Sequence, residues 1–92
     1  MSSETPPDER VVLLFASIHD VLAAEALAKE RGLWCDMVPA PRELSSDCGM
    51  VLELGGEGWE QVRALLGERD QLRGVFRLTA SGYEQIWPSA GA

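Results

Sequence analysis

The spacing of apolar residues changes period several times along this chain, and each change marks an element. Val11–Phe15 is an unbroken apolar run, the pattern of a strand buried on both faces. Ser17 then supplies an N-cap hydroxyl, and Asp20 puts a carboxylate in the first helical turn, where the dipole favours it. His19 to Arg31 is rich in Ala, Leu, Glu and Lys without Gly or Pro, which predicts a helix. Val21, Ala24 and Ala28 share one stripe of it, flanked by Ile18 and Leu27, and Gly32 stands where a glycine ends a helix.

Leu33–Val38 alternates and reads as a second strand. Pro39–Gly49, PAPRELSSDCG, is a long loop of the kind that is more often functional than decorative. Met50–Leu54 is a third strand, turned by Gly55, Gly56 and Gly58. Trp59–Arg69 is a second amphipathic helix, with Trp59, Val62, Leu65 and Leu66 at 3/4 spacing. Asp70–Gly74 reads as a turn and Val75–Thr79 as a fourth strand.

The order βαββαβ predicts an α+β, ferredoxin-like sandwich: a four-stranded antiparallel sheet with two helices on one face. The domain is expected over 11–79, with 1–10 a disordered tail. Residues 80–92 form a C-terminal tail, either mobile or docked through Tyr83, Ile86 and Trp87. In this fold strands 1 and 3 are central neighbours, so the end of strand 1, the start of helix 1 and the loop carrying Cys48 share one edge. Strand 1 is apolar on both faces while helices cover only one. The other face therefore calls for a second subunit, giving a homodimer through the sheet, or for the tail residues.

Composition narrows the function classes. Ninety-two residues make one domain, and 46% apolar with 25% charged is a globular balance. Lys+Arg minus Asp+Glu is 8 − 15 = −7, which argues against nucleic acid and against anionic membrane surfaces. Met1–Arg10 is polar and acidic, unlike a signal peptide, and Val11–Ala16 is far short of a bilayer span. A cytoplasmic location is expected. Cys35 and Cys48 are too few for a disulfide framework, and with one histidine they do not fill a structural zinc site, so no metal or cofactor is expected.

The candidate chemistry gathers at Cys48. A cysteine reacts as thiolate, which helix N-terminal amides, nearby cations and hydroxyl donors favour. Ser17 and the amides after it, His19, Arg42, Ser45 and Ser46 are the candidates for those roles, and Gly49 lets the chain turn tightly beside the sulfur. Asp47 works against thiolate formation. The plainer alternative makes Cys48 an inert residue pinning a loop. Cys35 alternates with Leu33 and Met37 and reads as core, with a Cys35–Cys48 disulfide left open. His19 as a simple helix-start residue, Glu25 as a solvated carboxylate and Arg42 paired with Glu43 are the corresponding bland readings. The GGEG stretch lacks the Lys-Ser/Thr ending of a phosphate loop. No acid–base pair or nucleophile triad is identifiable, which speaks against a stand-alone enzyme.

The stretch FASIHDVLAAEALAKERGLWCDMVPAPRELSSDCGMVL resembles the core of small bacterial selenium/sulfur (Se/S) carrier protein-like domains. The shared features are a Ser-x-His-Asp helix start at Ser17, His19 and Asp20, Glu25 in that helix, and a Pro-x-Pro-Arg…Ser-x-x-Cys-Gly loop. The loop falls on Pro39, Pro41, Arg42, Ser45, Cys48 and Gly49. The resemblance implies a carrier that holds sulfur or selenium on Cys48 as persulfide or selenosulfide, received from a donor protein and handed to an acceptor. A non-catalytic ligand-sensing or protein-interaction module is the alternative from a different class, since fold alone says little about activity.

Overall fold

The structure, a computed structural model, describes residues 9–44, 49–56, 58–67 and 72–88. Five strands and two helices follow one another as β1 (Arg10–Phe15), α1 (Ile18–Glu30), β2 (Cys35–Pro39), β3 (Met50–Gly55), α2 (Trp59–Leu66), β4 (Leu72–Thr79) and β5 (Gly82–Trp87). All strand pairs are antiparallel, in the order β2-β3-β1-β4-β5. The fold is α+β, and the expected four-stranded sheet is corrected to five strands.

The fifth strand comes from the segment expected as a tail. Thr79 pairs with Gly82 across a two-residue connection. Within it the Thr79 hydroxyl donates to the Gly82 carbonyl at 2.9 Å and accepts the Ser81 amide at 3.3 Å. A register shift between Val75 and Phe76 interrupts the two-residue alternation of the β4–β5 pair. Tyr83 consequently packs on one face of the sheet, while Ile86 and Trp87 pack on the other. Arg63 of α2 stacks its guanidinium over the Trp87 ring at 4.8 Å, tying that helix to β5.

Two other expectations need correction. β4 begins at Leu72, inside the expected turn, because Gly74 pairs with Leu14 of β1 beneath the Phe76 ring. A Cβ on Gly74 would meet that ring at 3.2 Å. Helix α2 ends at Leu66, before the expected Arg69: Gly67 takes φ +76° and its amide closes on the Arg63 carbonyl. Val62 and Leu66 are its buried residues, while Leu65, expected on the same stripe, is exposed.

Helix α1 is fixed at both ends. Ser17 caps its start, and Gly32 at φ +71° lets Leu33 donate back to the Ala28 carbonyl at 2.9 Å, a glycine-dependent stop that also brings Leu33 onto the core. Val21, Ala24 and Ala28 face the sheet, and their small side chains allow close approach.

The alternation along β1 divides its side chains between two cores. Val11, Leu13 and Phe15 join Leu52, Leu54, Val75 and the buried faces of both helices. Val12 and Leu14 point away from the helices, where they meet Val51 and Leu44 with Val38, Ala40, Phe76 and Tyr83 around them. The helix-free face is thus packed by a residue of the β2–β3 connection and by one from β5. Arg10 and Glu53 form an ion pair at 3.5 Å on this same side of the sheet.

Candidate functional site

The strand register brings the candidate residues to one edge. Pro39 pairs with Met50 and Leu14 with Val51, so the end of β2, the start of β3 and the end of β1 lie together. Gly49 and Ser17 flank that edge, one entering β3 and the other leaving β1. The amide of Ala40 donates to the Gly49 carbonyl at 3.0 Å, extending the β2–β3 ladder by one bond and closing the base of the loop. Gly49 has φ +80°, in the left-handed region that side chains disfavour, and the space where a Cβ would stand is open.

Ser17 is committed to its own helix. Its Oγ accepts the Asp20 amide at 3.4 Å while its hydroxyl lies 3.1 Å from the Asp20 carboxylate as donor. The N-terminus of α1 therefore already holds a negative group, which satisfies part of the charge preference a thiolate would meet there. His19 is exposed on the first turn of α1. Arg42 is exposed in the turn closed by the Leu44 amide on the Pro41 carbonyl at 3.0 Å, and Glu43 is exposed beside it. Ser45, Ser46 and Cys48 lie outside the described residues, as does Asp47. Of the candidate residues, Ser17, His19, Arg42 and Gly49 are therefore described, in or beside the segments that meet at this edge, and the Cys48 thiol is not.

Sequence reasoning missed Leu44. It is buried, at 8% exposure, although Arg42 and Glu43 before it are exposed. Its signal was available: a leucine in an otherwise polar loop needs somewhere to go. Where it goes depended on the helix-free face, which alternation within β1 implies but does not fill.

Cys35 is a free, half-buried thiol packed against the helix-side core. Burial is the largest influence pushing its pKa up, and the Glu25 and Asp36 carboxylates add to it against the opposing charge of Lys29. Glu25 itself is held by Lys29 at 3.6 Å, one helical turn on. Raised in this way, Cys35 is a thiol rather than a thiolate near neutral pH and a poor nucleophile.

Distance separates Cys35 from the loop as well. It pairs with Leu54, at the far end of β3 from Gly49, and strand rise puts roughly 17 Å between those ends. Cys35 is a free thiol, and the other half of the bridge that the sequence leaves open, Cys48, lies outside the described residues. Among the described residues no group of three or more His, Cys, Asp or Glu is placed to hold a metal ion, and no helix is long and apolar enough to cross a membrane.

A family model described as "Putative Se/S carrier protein-like" matches residues 10–75, from the start of β1 into β4. That span contains the whole β2–β3 connection and the start of α1, and it stops before β5. No curated protein and no solved structure matches the chain.

Proposed function

Starting from the fact that the chain belongs to the Se/S carrier protein-like family, we propose that it carries a single sulfur or selenium atom on Cys48 and passes it between proteins. The family match over residues 10–75 is the observation that carries this reading. Two features of the chain support it. Gly49, directly after the thiol, has a left-handed backbone and open space beside it. Cys35, the other thiol, is packed against the core with its pKa raised.

The step needs no cofactor. The Cys48 thiolate attacks the outer sulfur of a donor persulfide. An S–S bond forms at Cys48, the donor's own S–S bond breaks, and the donor leaves as thiolate with the outer sulfur's proton retained on the carrier. An acceptor thiolate then attacks that outer sulfur and returns Cys48 as thiolate. Oxidation states balance, since the transferred sulfur moves between equivalent bonds. A selenium atom bound as selenosulfide moves by the same exchange. Ser45, Ser46 and the amides at the start of α1 serve as donors to the cargo, with Arg42 or His19 supplying positive charge.

The order β2-β3-β1-β4, with both helices on one face, supports reading residues 10–79 as a ferredoxin-like βαββαβ unit to which β5 is added. The reading places the carrier in a reducing cytoplasm, between a donor and an acceptor protein. Intact mass after incubation with glutathione persulfide tests it. Wild type and Cys35→Ser gain one sulfur and Cys48→Ser does not. Failure of wild type to take up sulfur, or equal uptake by Cys48→Ser, sinks the proposal.

A further inference from the structure

We infer that the open rim of β2 and the flank of α1 beside it form a docking surface for an extended segment of a partner protein, one that alternates apolar with basic residues. β2 is the outermost strand on its side of the sheet. The Ala40 amide bonds to the Gly49 carbonyl opposite it, so the alternation of an antiparallel ladder fixes which backbone groups of β2 face β3. Those of Asp36 and Val38 do. Those of Cys35, Met37 and Pro39 turn outward, and Pro39 stands where a missing amide proton costs the ladder nothing. Cys35 and Met37 thus each offer a donor and an acceptor to an added strand.

The surface beside that rim is apolar. Cys35 and Met37 lie on the helix side, packed against the core yet only half-buried. Glu25 and Lys29 of α1 both act on the Cys35 thiol, so the ridge of α1 that carries them runs along β2. At helical spacing the same ridge continues through Leu22 and Ile18. α1 starts at the edge where β2 ends, which sets Leu22 alongside Met37 and Ile18 toward Pro39. Leu22 keeps 45% of its surface exposed, more than Leu65 or Leu78. Met50, opposite Pro39, is half-buried at the same end. Two methionines give this surface the adaptability to accept more than one apolar sequence.

Charge selects the occupant. Asp36 is exposed on the other face of the strand, and among the described residues no ion pair takes it up. The chain as a whole carries −7, which repels an acidic segment and a second copy alike. Side chains of an added strand alternate between faces, so its apolar residues meet Leu22 and Met37 while its basic residues meet Asp36. Assigning the segment to a sulfur donor or acceptor rests on the carrier reading; the surface itself does not.

The probe is a short acetylated and amidated peptide alternating valine with lysine, titrated into the isotope-labelled full chain and followed by its amide resonances. In the free chain the Met37 amide exchanges quickly with solvent while that of Val38 is protected. The peptide slows exchange at Met37 and shifts the resonances of Cys35, Asp36 and Met37. Leu22→Gln weakens binding about tenfold and Asp36→Asn about threefold. Leu78→Gln, at an exposed leucine of β4 remote from β2, binds as wild type does. The glutamate counterpart of the peptide leaves the spectrum unchanged. Absence of shifts at β2, equal binding by Leu22→Gln, or a free chain that dimerises through β2 overturns the inference. So does a Met37 amide already protected before peptide is added, since the rim is then covered by the chain itself. Cargo takes no part in these readouts, so failed persulfide loading ends the carrier role and leaves the docking surface standing.

Discussion

Replacing Val51 by Ala measures whether the helix-free face is a true second core. Val51 and Leu52 are successive residues of β3 on opposite faces, and both are fully buried. On an open sheet surface, trimming a valine is nearly neutral. Here the side chain sits with Val12, Leu14 and Leu44. Removing two methylene equivalents at about 0.8 kcal/mol each gives about 1.6 kcal/mol, and incomplete collapse around the gap brings the loss to about 2 kcal/mol. A chain of 92 residues has roughly 5–14 kcal/mol in total at typical values per residue. The expected drop in melting temperature is roughly 8–16 °C. Leu78→Ala is the control on the same face of the sheet, opposite Tyr83 and outside the buried cluster, where the leucine keeps 39% of its surface; its cost is below about 1 kcal/mol. Urea unfolding followed by far-UV circular dichroism gives both numbers. If Val51→Ala unfolds within about 0.5 kcal/mol of wild type, or Leu78→Ala costs as much, the face is not sealed and the account of Leu44 fails with it.

Three further outcomes follow from single features. Gly49→Ala meets no neighbour, so its cost is the left-handed backbone alone, about 1–2 kcal/mol in the urea midpoint, with Gly49→Asn losing less. Arg63→Met keeps the apolar stem but removes the charge over Trp87, lowering the thermal midpoint by an amount worth about 0.5–1 kcal/mol; no change would mean the contact contributes nothing. Cys35 and Tyr83 both have raised pKa values in the fold. Their neutral forms are favoured in the native state, so stability is full below the ordinary thiol and phenol values and declines as pH rises through them. Urea midpoints measured from neutral to alkaline pH therefore fall, and Cys35→Ala removes the thiol's share of that fall; a flat profile contradicts the burial assigned to both groups.

The first four strands and two helices were legible because each carries a local signal: the solid run of β1, the Ala stripe of α1 with its Ser17 and Gly32 ends, the 3/4 spacing of α2. β5 was not, because the register shift at Val75 and Phe76 breaks the alternation that identifies a strand, leaving Tyr83, Ile86 and Trp87 without a common face. The start of β4 was misread for a related reason. Gly74 looks like a turn residue, yet it is a strand residue whose missing side chain makes room for Phe76. At the site, the common edge of Ser17 and Gly49 follows from topology and was foreseen. The burial of Leu44 was not, since it depends on a surface assembled from β1, β3, β4 and β5, which no window of sequence contains. The commitment of the Ser17 hydroxyl to Asp20 is equally a matter of geometry.

The addition of β5 also changes what the sheet presents at its two rims. β5 now takes the outer position on one side, with β2 on the other, and an unpaired strand is a template on which another chain can build. Both rims are guarded in the same way. β2 exposes Asp36 and ends at Pro39, which has no amide proton to offer, and β5 exposes Glu84. Pairing of two copies through like rims, β2 on β2 or β5 on β5, would put Asp36 of both copies, or Glu84 of both, on one face of the joined sheet, a charge cost set against strand-to-strand dimers.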